Sequence, residues 1–320
     1  MSLLVHTRRG LYCPAGDFYI DPSAGVERAV LTHAHADHAR RGSRHYFAAR
    51  SGALLLRERL GRIALTELDY GQKLKLGDAW ISLHPAGHIL GSAQVRIEVG
   101  SAVWVVSGDY KRDDDPTCEP FEVVACDTFV TEATFAMPFY RWPPAQQVAE
   151  EIHDWWQGNA ARGRASLLLS YSLGKTQRLL AELGRITDAP IYLHPSAVAL
   201  TECYRGVGIE LPPTPELQGP LTAGSLAIVP PMATRGSTLA QALVGAETAF
   251  VSGWLSTLKS QRQGRGFVMS DHADWPSLVR TVQETGAQRV YVMHGDSRLL
   301  VRYLRDDLGL DAHPIEVLSA

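Results

Sequence analysis

Short apolar stretches separated by turn-forming residues dominate the first part of the chain. Gln94-Val95-Arg96-Ile97-Glu98-Val99 alternates polar and apolar side chains, as a half-buried strand does. Phe18-Tyr19-Ile20 running into Asp21-Pro22, Trp80-Ile81-Ser82-Leu83-His84 and Phe129-Val130-Thr131 also read as strands. Ala102-Val103-Trp104-Val105-Val106-Ser107 is nearly all apolar, which predicts a strand covered on both faces. Between them, the leucines of residues 52–60 recur at helical spacing. Many strands and few helices predict a mixed sheet sandwich with helices outside.

The pattern changes at Arg141-Trp142-Pro143-Pro144. Helical spacing over residues 145–157, 175–183 and 197–204 then alternates with the strand-like runs 166–171, 191–193, 226–229 and 248–251. Leu211-Pro212-Pro213-Thr214-Pro215 is a loop. The earlier style returns with Gly266-Phe267-Val268-Met269 and Arg289-Val290-Tyr291-Val292-Met293. The expected organisation is one domain, residues 1–136 and 265–320, interrupted by a parallel α/β domain at residues 137–264.

Composition narrows the class. With 320 residues, 45% hydrophobic and 20% charged, the chain can bury a large core and reads as globular. Charged residues, Gly or Pro interrupt every apolar run before it could cross a bilayer, and the apolar start is too short for a secretory leader. Cys13, Cys118, Cys126 and Cys203 form no C-x-x-C pair, so they are expected as free thiols in a cytoplasmic protein without a membrane partner. The net charge of -3 excludes a globally basic nucleic-acid coat. A polyanionic substrate must meet a local patch or metal ions.

The chemistry concentrates in Leu31-Thr32-His33-Ala34-His35-Ala36-Asp37-His38, which follows the apolar run Ala29-Val30-Leu31. Residues two apart point the same way only in an extended or loop segment, so His33 and His35 can grip one ion if no helix has started. Imidazole mixed with carboxylate suits borderline divalent metals. His88 lies in the glycine-flanked Ala86-Gly87-His88-Ile89-Leu90-Gly91, while Asp109 and His294 each follow an apolar strand. Together they complete two sites: His33, His35 and His88 for a first ion, Asp37, His38 and His294 for a second, with Asp109 bridging. Two ions about 3.5–4 Å apart can activate a water and clamp a phosphoryl oxygen. Zinc suits the histidine-rich site and manganese an oxygen-richer one; the residues leave both open.

His33-x-His35-x-Asp37-His38, followed by His88, Asp109 and His294, resembles the metallo-β-lactamase fold. Thr131-Glu132-Ala133-Thr134, Ser270-Asp271-His272-Ala273-Asp274 and Met293-His294-Gly295 resemble the three extra motifs of its β-CASP nucleases. Gly10-Leu11-Tyr12-Cys13-Pro14 and the run from Gly266 to Trp275 look most like the bacterial ligase-associated DNA exonuclease branch. The resemblance implies an αββα sandwich with an inserted β-CASP-like domain. It also implies a metal-dependent DNA exonuclease acting in repair on single strands or strand ends, with a DNA ligase and a helicase as partners. His272 would donate the proton to the leaving oxygen, Glu132 would hydrogen-bond it and favour its charged form, and Asp37 would serve both as ligand and in catalysis. An RNA-processing nuclease of the same fold is the alternative, followed by a small-molecule metallo-hydrolase.

Two readings of further residues stay open at this point. Asp21 either orients a ligand histidine or is a turn residue before Pro22. Ser170, Ser172, Lys175 and Arg178 either form a phosphate seat at a helix start or belong to a plain capped helix. Lys259, Arg262 and Arg265 form a basic run that could line a nucleic-acid groove. His6, His45, His84, His153, His194 and His313 are expected to be structural.

Overall fold

The computed structural model describes residues 2–234, 245–256 and 265–319; Lys259 and Arg262 of the basic run lie outside them. The chain is mixed α/β and divides into two units, one of residues 1–141 with 272–320, the other of residues 142–271.

The first unit holds two sheets. One runs β1 (Val5–Thr7), β2 (Gly10–Cys13), β3 (Phe18–Ile20), β4 (Arg28–Val30), β5 (His45–Ala49) and β6 (Leu65–Leu68), in that spatial order. The other takes β7 (Leu74–Leu76), β8 (Ala79–Pro85), β9 (Ala93–Val99), β10 (Ala102–Val106) and β11 (Thr128–Glu132). Two late strands at Arg289–Met293 and Asp311–Pro314 complete it beside β11.

Period-two alternation sorts side chains to the two faces of this second sheet. Trp104, Val106, Val130 and Tyr291 join Val30, Phe47 and Leu68 of the first sheet in one buried cluster, so the sheets face each other across a shared core. Their neighbours Val105, Phe129, Val290 and Val292 join Leu278 and Val282 of the helix Trp275–Glu284 and Leu300 and Leu304 of the helix Arg298–Asp306. That is why the apolar strands lack a polar face: sheet covers one side and helix the other.

In the second unit, five parallel strands lie in the order Ile191–Leu193, Leu226–Val229, Ser166–Leu169, Glu247–Val251, Arg265–Phe267. The helix at Ala145–Ala161 runs past the expected end at 157 because Asn159 is buried there and donates to Ser166 Oγ at 2.8 Å. The strand expected at 266–269 as a return to the first domain instead pairs in parallel with Glu247–Val251. Hydrogen bonding to that edge keeps residues 265–271 with the second unit, so the division falls after Asp271 rather than after residue 264.

Candidate metal centre

The sheet directions of the first unit gather chemistry at one end. The His33–His38 loop follows β4, the His88 loop follows β8, Asp109 follows β10, Glu132 closes β11, and His294 follows the strand Arg289–Met293. Carboxyl ends of parallel strands are where α/β sheets commonly present functional groups.

Close backbone contacts lock these loops together. Ala93 N–H donates to Thr32 O at 2.7 Å, and Ser92 Oγ accepts the N–H groups of His88 and Ile89 at 3.0 and 3.2 Å. Gly108, with φ at 57°, lets Asp109 turn inward; a Cβ there would sit 2.7 Å from Thr32 Cβ. His294 and Asp21 adopt positive φ, 59° and 44°, without being glycine. Such backbone costs on the order of 1–3 kcal/mol and concentrates at functional sites.

Three imidazoles converge first. His35 Nδ1 lies 3.1 Å from His33 Nε2 and 3.0 Å from His88 Nε2. Asp109 Oδ2 stands 3.6 Å from His33 Nε2 and 3.8 Å from His88 Nε2. Tetrahedral bonds of about 2.0–2.1 Å to nitrogen place ligand atoms roughly 3.3 Å apart. The donor set and its spacing therefore fit a divalent ion such as zinc. Burial, followed by the charge of His38, holds the His33 imidazole well below its usual range, leaving it neutral as a ligand must be.

A second group shares Asp109. His38, Asp109 and His294 offer ligand atoms that all lie within 4.8 Å of one another, and His38 Nε2 is 3.3 Å from Asp109 Oδ2. Asp37 stands beside this group rather than in it: its side chain is 75% exposed and its carboxylate lies 3.8 Å from His38 Nε2.

Asp21, one of the open readings, meets both the loop and the histidine. One carboxylate oxygen accepts Thr32 N–H at 2.8 Å; the other accepts Thr32 Oγ1–H at 2.5 Å and lies 2.7 Å from His38 Nδ1. A proton on Nδ1 leaves Nε2 to face Asp109. Burial alone would lower the His38 pKa, but Asp109 and Asp21 raise it well above the usual imidazole range. Burial likewise opposes ionisation of Asp109, yet His38, His272 and His33 hold its carboxyl well below the ordinary value. Removing a partner that orients a metal-binding histidine typically costs 10–100-fold in metal affinity. Asp21→Asn is accordingly expected to weaken zinc binding by about 10-fold or more in a competitive chelator titration. An unchanged affinity would reduce Asp21 to its turn.

Glu132 and His272 form the third group around Asp109. Glu132 is buried and accepts Tyr110 N–H at 2.8 Å, while His272 Nδ1 lies 3.1 and 2.9 Å from its two oxygens. Ala273 N–H donates to Tyr110 O at 2.7 Å, so the peptide groups of one residue hold both partners. The His272 ring is 4.7 Å from that of His88.

In the second unit, the expected phosphate seat is not a set of free cations. Lys175 and Arg178 are both buried: Lys175 Nζ pairs with Asp271 Oδ2 at 2.6 Å, and Arg178 Nη1 donates to Ser270 O at 3.0 Å. Ser172 Oγ meets Ser196 Oγ at 2.8 Å, and Ser170 is buried. A helix-start cation can face solvent or protein, and spacing does not separate the two. Arg265 is exposed, its guanidinium over the Phe267 ring. His45, His84, His194 and His313 bond to Thr66, Glu122, Ser196 and Asp311 respectively.

Thr32 and Tyr110, which hold this centre together, went unremarked in the sequence. Thr32 carried a weak signal as a polar residue between a buried strand and the first histidine. Tyr110 acts through its backbone, which no side-chain pattern reveals.

No family model matches the chain. It is 33% identical over 312 residues to a probable DNA ligase of Opitutus terrae, matching 96% of this chain and 30% of that protein. It is 27% identical over 210 residues to a ribonuclease of Thermus thermophilus, covering 55% of this chain and 48% of the relative. With an endoribonuclease, Ysh1, of Aspergillus fumigatus the identity is 29% over 153 residues, 47% of this chain and 17% of the relative. The chain thus spans less than half the length of each. The ribonuclease and endoribonuclease relatives belong to the metallo-β-lactamase/β-CASP family. A crystal structure of an Enterococcus faecalis protein of unknown function shares the fold, with a TM-score of 0.57 at 13% identity, covering 83% of this chain and 75% of that one.

Proposed function

We propose that this chain is a metallo-β-lactamase-fold nuclease of the β-CASP type that hydrolyses phosphodiester bonds of DNA from strand ends, in repair. The observation that carries this reading is the convergence of three ligand groups on Asp109, in a chain whose relatives are named as nucleases and a DNA ligase. On this reading the unit of residues 142–271 is the inserted β-CASP-like domain.

His33, His35, His88 and Asp109 would hold one divalent ion. His38, Asp109 and His294, with Asp37 beside them, would hold the other. Such ions, Zn2+ or Mn2+, supply Lewis acidity that activates water and offsets phosphoryl charge. Asp21 keeps His38 turned so that Nε2 faces Asp109. Glu132 holds the Nδ1 side of His272, and the ring so oriented would deliver a proton to the departing oxygen. Glu132 itself is held by Tyr110 N–H and so cannot follow the ring away. The pairing of buried Glu132 with half-buried His272 favours the nuclease over a small-molecule hydrolase.

A segment like this one lies inside a polypeptide named for DNA ligation, which favours DNA ends as substrate and a ligase as partner. The ribonuclease names favour RNA as a second reading. Digestion of end-labelled single-stranded DNA and RNA of one sequence separates them. The expected result is DNA shortened progressively from one end, at least tenfold faster than RNA. Equal or faster loss of RNA would overturn the choice of DNA, and a metal-loaded chain inert toward both would overturn the nuclease.

A further inference from the structure

Residues 38–62 contain seven arginines and a single acid, Glu58, in a chain whose net charge is -3. Three of these arginines are neutralised: Arg44 pairs with Glu27, Arg50 with Glu67 and Asp69, and Arg57 with Glu67. Among the described residues, Arg40, Arg41, Arg59 and Arg62 form no ion pair. Arg40, Arg41 and Arg62 are exposed, and Arg59 is half-buried.

The fold ties these four to the rim of the metal-binding loop. Arg40 and Arg41 follow His38 almost directly, and the hydroxyl of buried Tyr46 donates to Arg40 O at 2.8 Å, pinning the turn. Arg59, near the end of the helix Ala53–Leu60, donates to Ala34 O, the carbonyl between His33 and His35. Arg41 Nη2 donates to Arg59 O at 3.0 Å, which brings a second guanidinium to the same helix end. Arg62 lies just past it, beyond Gly61. Arg41 and Arg59 act on each other as like charges, and the Asp37 carboxylate, which also acts on Arg59, sits beside the proposed second ion; a shared anion relieves the remaining repulsion. Solvated surface arginines need no such arrangement and usually scatter among acids.

We propose that Arg40, Arg41, Arg59 and Arg62 form a cationic rim on the first unit that binds the backbone phosphates of single-stranded nucleic acid flanking the bond to be cut. This rests on the nuclease reading and names a part of the substrate surface the metal ligands do not provide. Arginine suits the task because its fork meets two phosphate oxygens at once and is always charged. Arg59 has a second duty, holding the ligand loop, so the test leaves it in place.

The experiment measures binding of a fluorescein-labelled, phosphorothioate-linked oligodeoxynucleotide to the metal-loaded full chain by anisotropy, from low to moderate salt. Each phosphate contact on a single strand contributes about 0.7 to the slope of log affinity against log salt. Arg40→Gln/Arg41→Gln/Arg62→Gln is expected to reduce the slope by about 2 and to weaken low-salt binding at least tenfold. The corresponding triple lysine variant should keep most of the slope, and Arg62→Gln alone should lose about 0.7 of it, a reading that survives if the triple glutamine variant fails to fold. A slope equal to wild type in the variants would overturn the rim. If wild type cleaves while the slopes stay equal, the rim fails and the nuclease reading stands. If binding depends on the arginines but wild type never cleaves, the nuclease reading fails and the rim stands.

Discussion

Replacing His272 with alanine is expected to leave bound metal at the wild-type level and to lower kcat by about 10²–10⁴-fold, the usual worth of a positioned general acid. The ring belongs to the group formed with Asp109 and Glu132, so two roles compete for it: proton donor and metal ligand. Its Nδ1 is committed to Glu132 at 2.9 Å, which fixes how the ring is turned. Metal analysis beside single-turnover cleavage divides the roles. Loss of an ion in the variant would make His272 a ligand, and full cleavage with metal bound would mean that another group protonates the leaving oxygen. The Glu132→Gln variant should follow in the same direction with a smaller loss. It keeps a hydrogen-bond partner for the ring but removes the charge that favours imidazolium.

The second large effect is expected at Asp109. It belongs to all three ligand groups of the centre, so Asp109→Ala should lose metal at both sites, with cleavage falling to background. Elemental analysis checks this, and wild-type occupancy in the variant would refute a shared carboxylate. The same residue makes metal binding sensitive to pH. Without metal, His38 carries a proton because Asp109 and Asp21 raise its pKa. An incoming ion must displace that proton, so affinity should tighten as pH rises toward the His38 pKa, with proton release measurable in weakly buffered calorimetry. For folding of the metal-free chain the sign is opposite. The raised His38 pKa contributes stability that is full below the unfolded imidazole value and fades as pH rises through the folded one. The depressed Asp109 pKa contributes stability that is present above the unfolded carboxyl value and fades as pH falls through the folded one. Asp109→Ala should flatten both limbs of the metal-free stability profile.

Much of the fold was legible because apolar periodicity is a local property. The run Arg289–Met293 is a strand in both readings, and the Ser166, Leu226 and Glu247 strands lie close to where alternation with helices places them. The strand at Arg265–Phe267 shows where that stops. Three extended residues look alike whichever sheet they join, and only pairing with Glu247–Val251 assigns them to the second unit. Lys175 and Arg178 show the same limit for charge, since their positions at a helix start were plain while their burial against Asp271 and Ser270 was not. The arginine-rich stretch after His38 was in full view as composition. Which of its arginines form ion pairs depends on acids such as Glu27, Glu67 and Asp69 in other strands and turns.

What the linear order determined by itself was the chemical type of the centre: imidazoles and carboxylates on non-helical segments just after buried strands, where side chains two apart can share a target. What only the tertiary structure decided was which of them meet. His35 and His88 are 53 residues apart, and Glu132 and His272 are 140 apart. Their approach follows from strand order, parallel register and the tight glycine turns that let loops touch. Those are set by burying the two faces of a sheet at once, a condition on the whole unit that no local stretch of residues expresses.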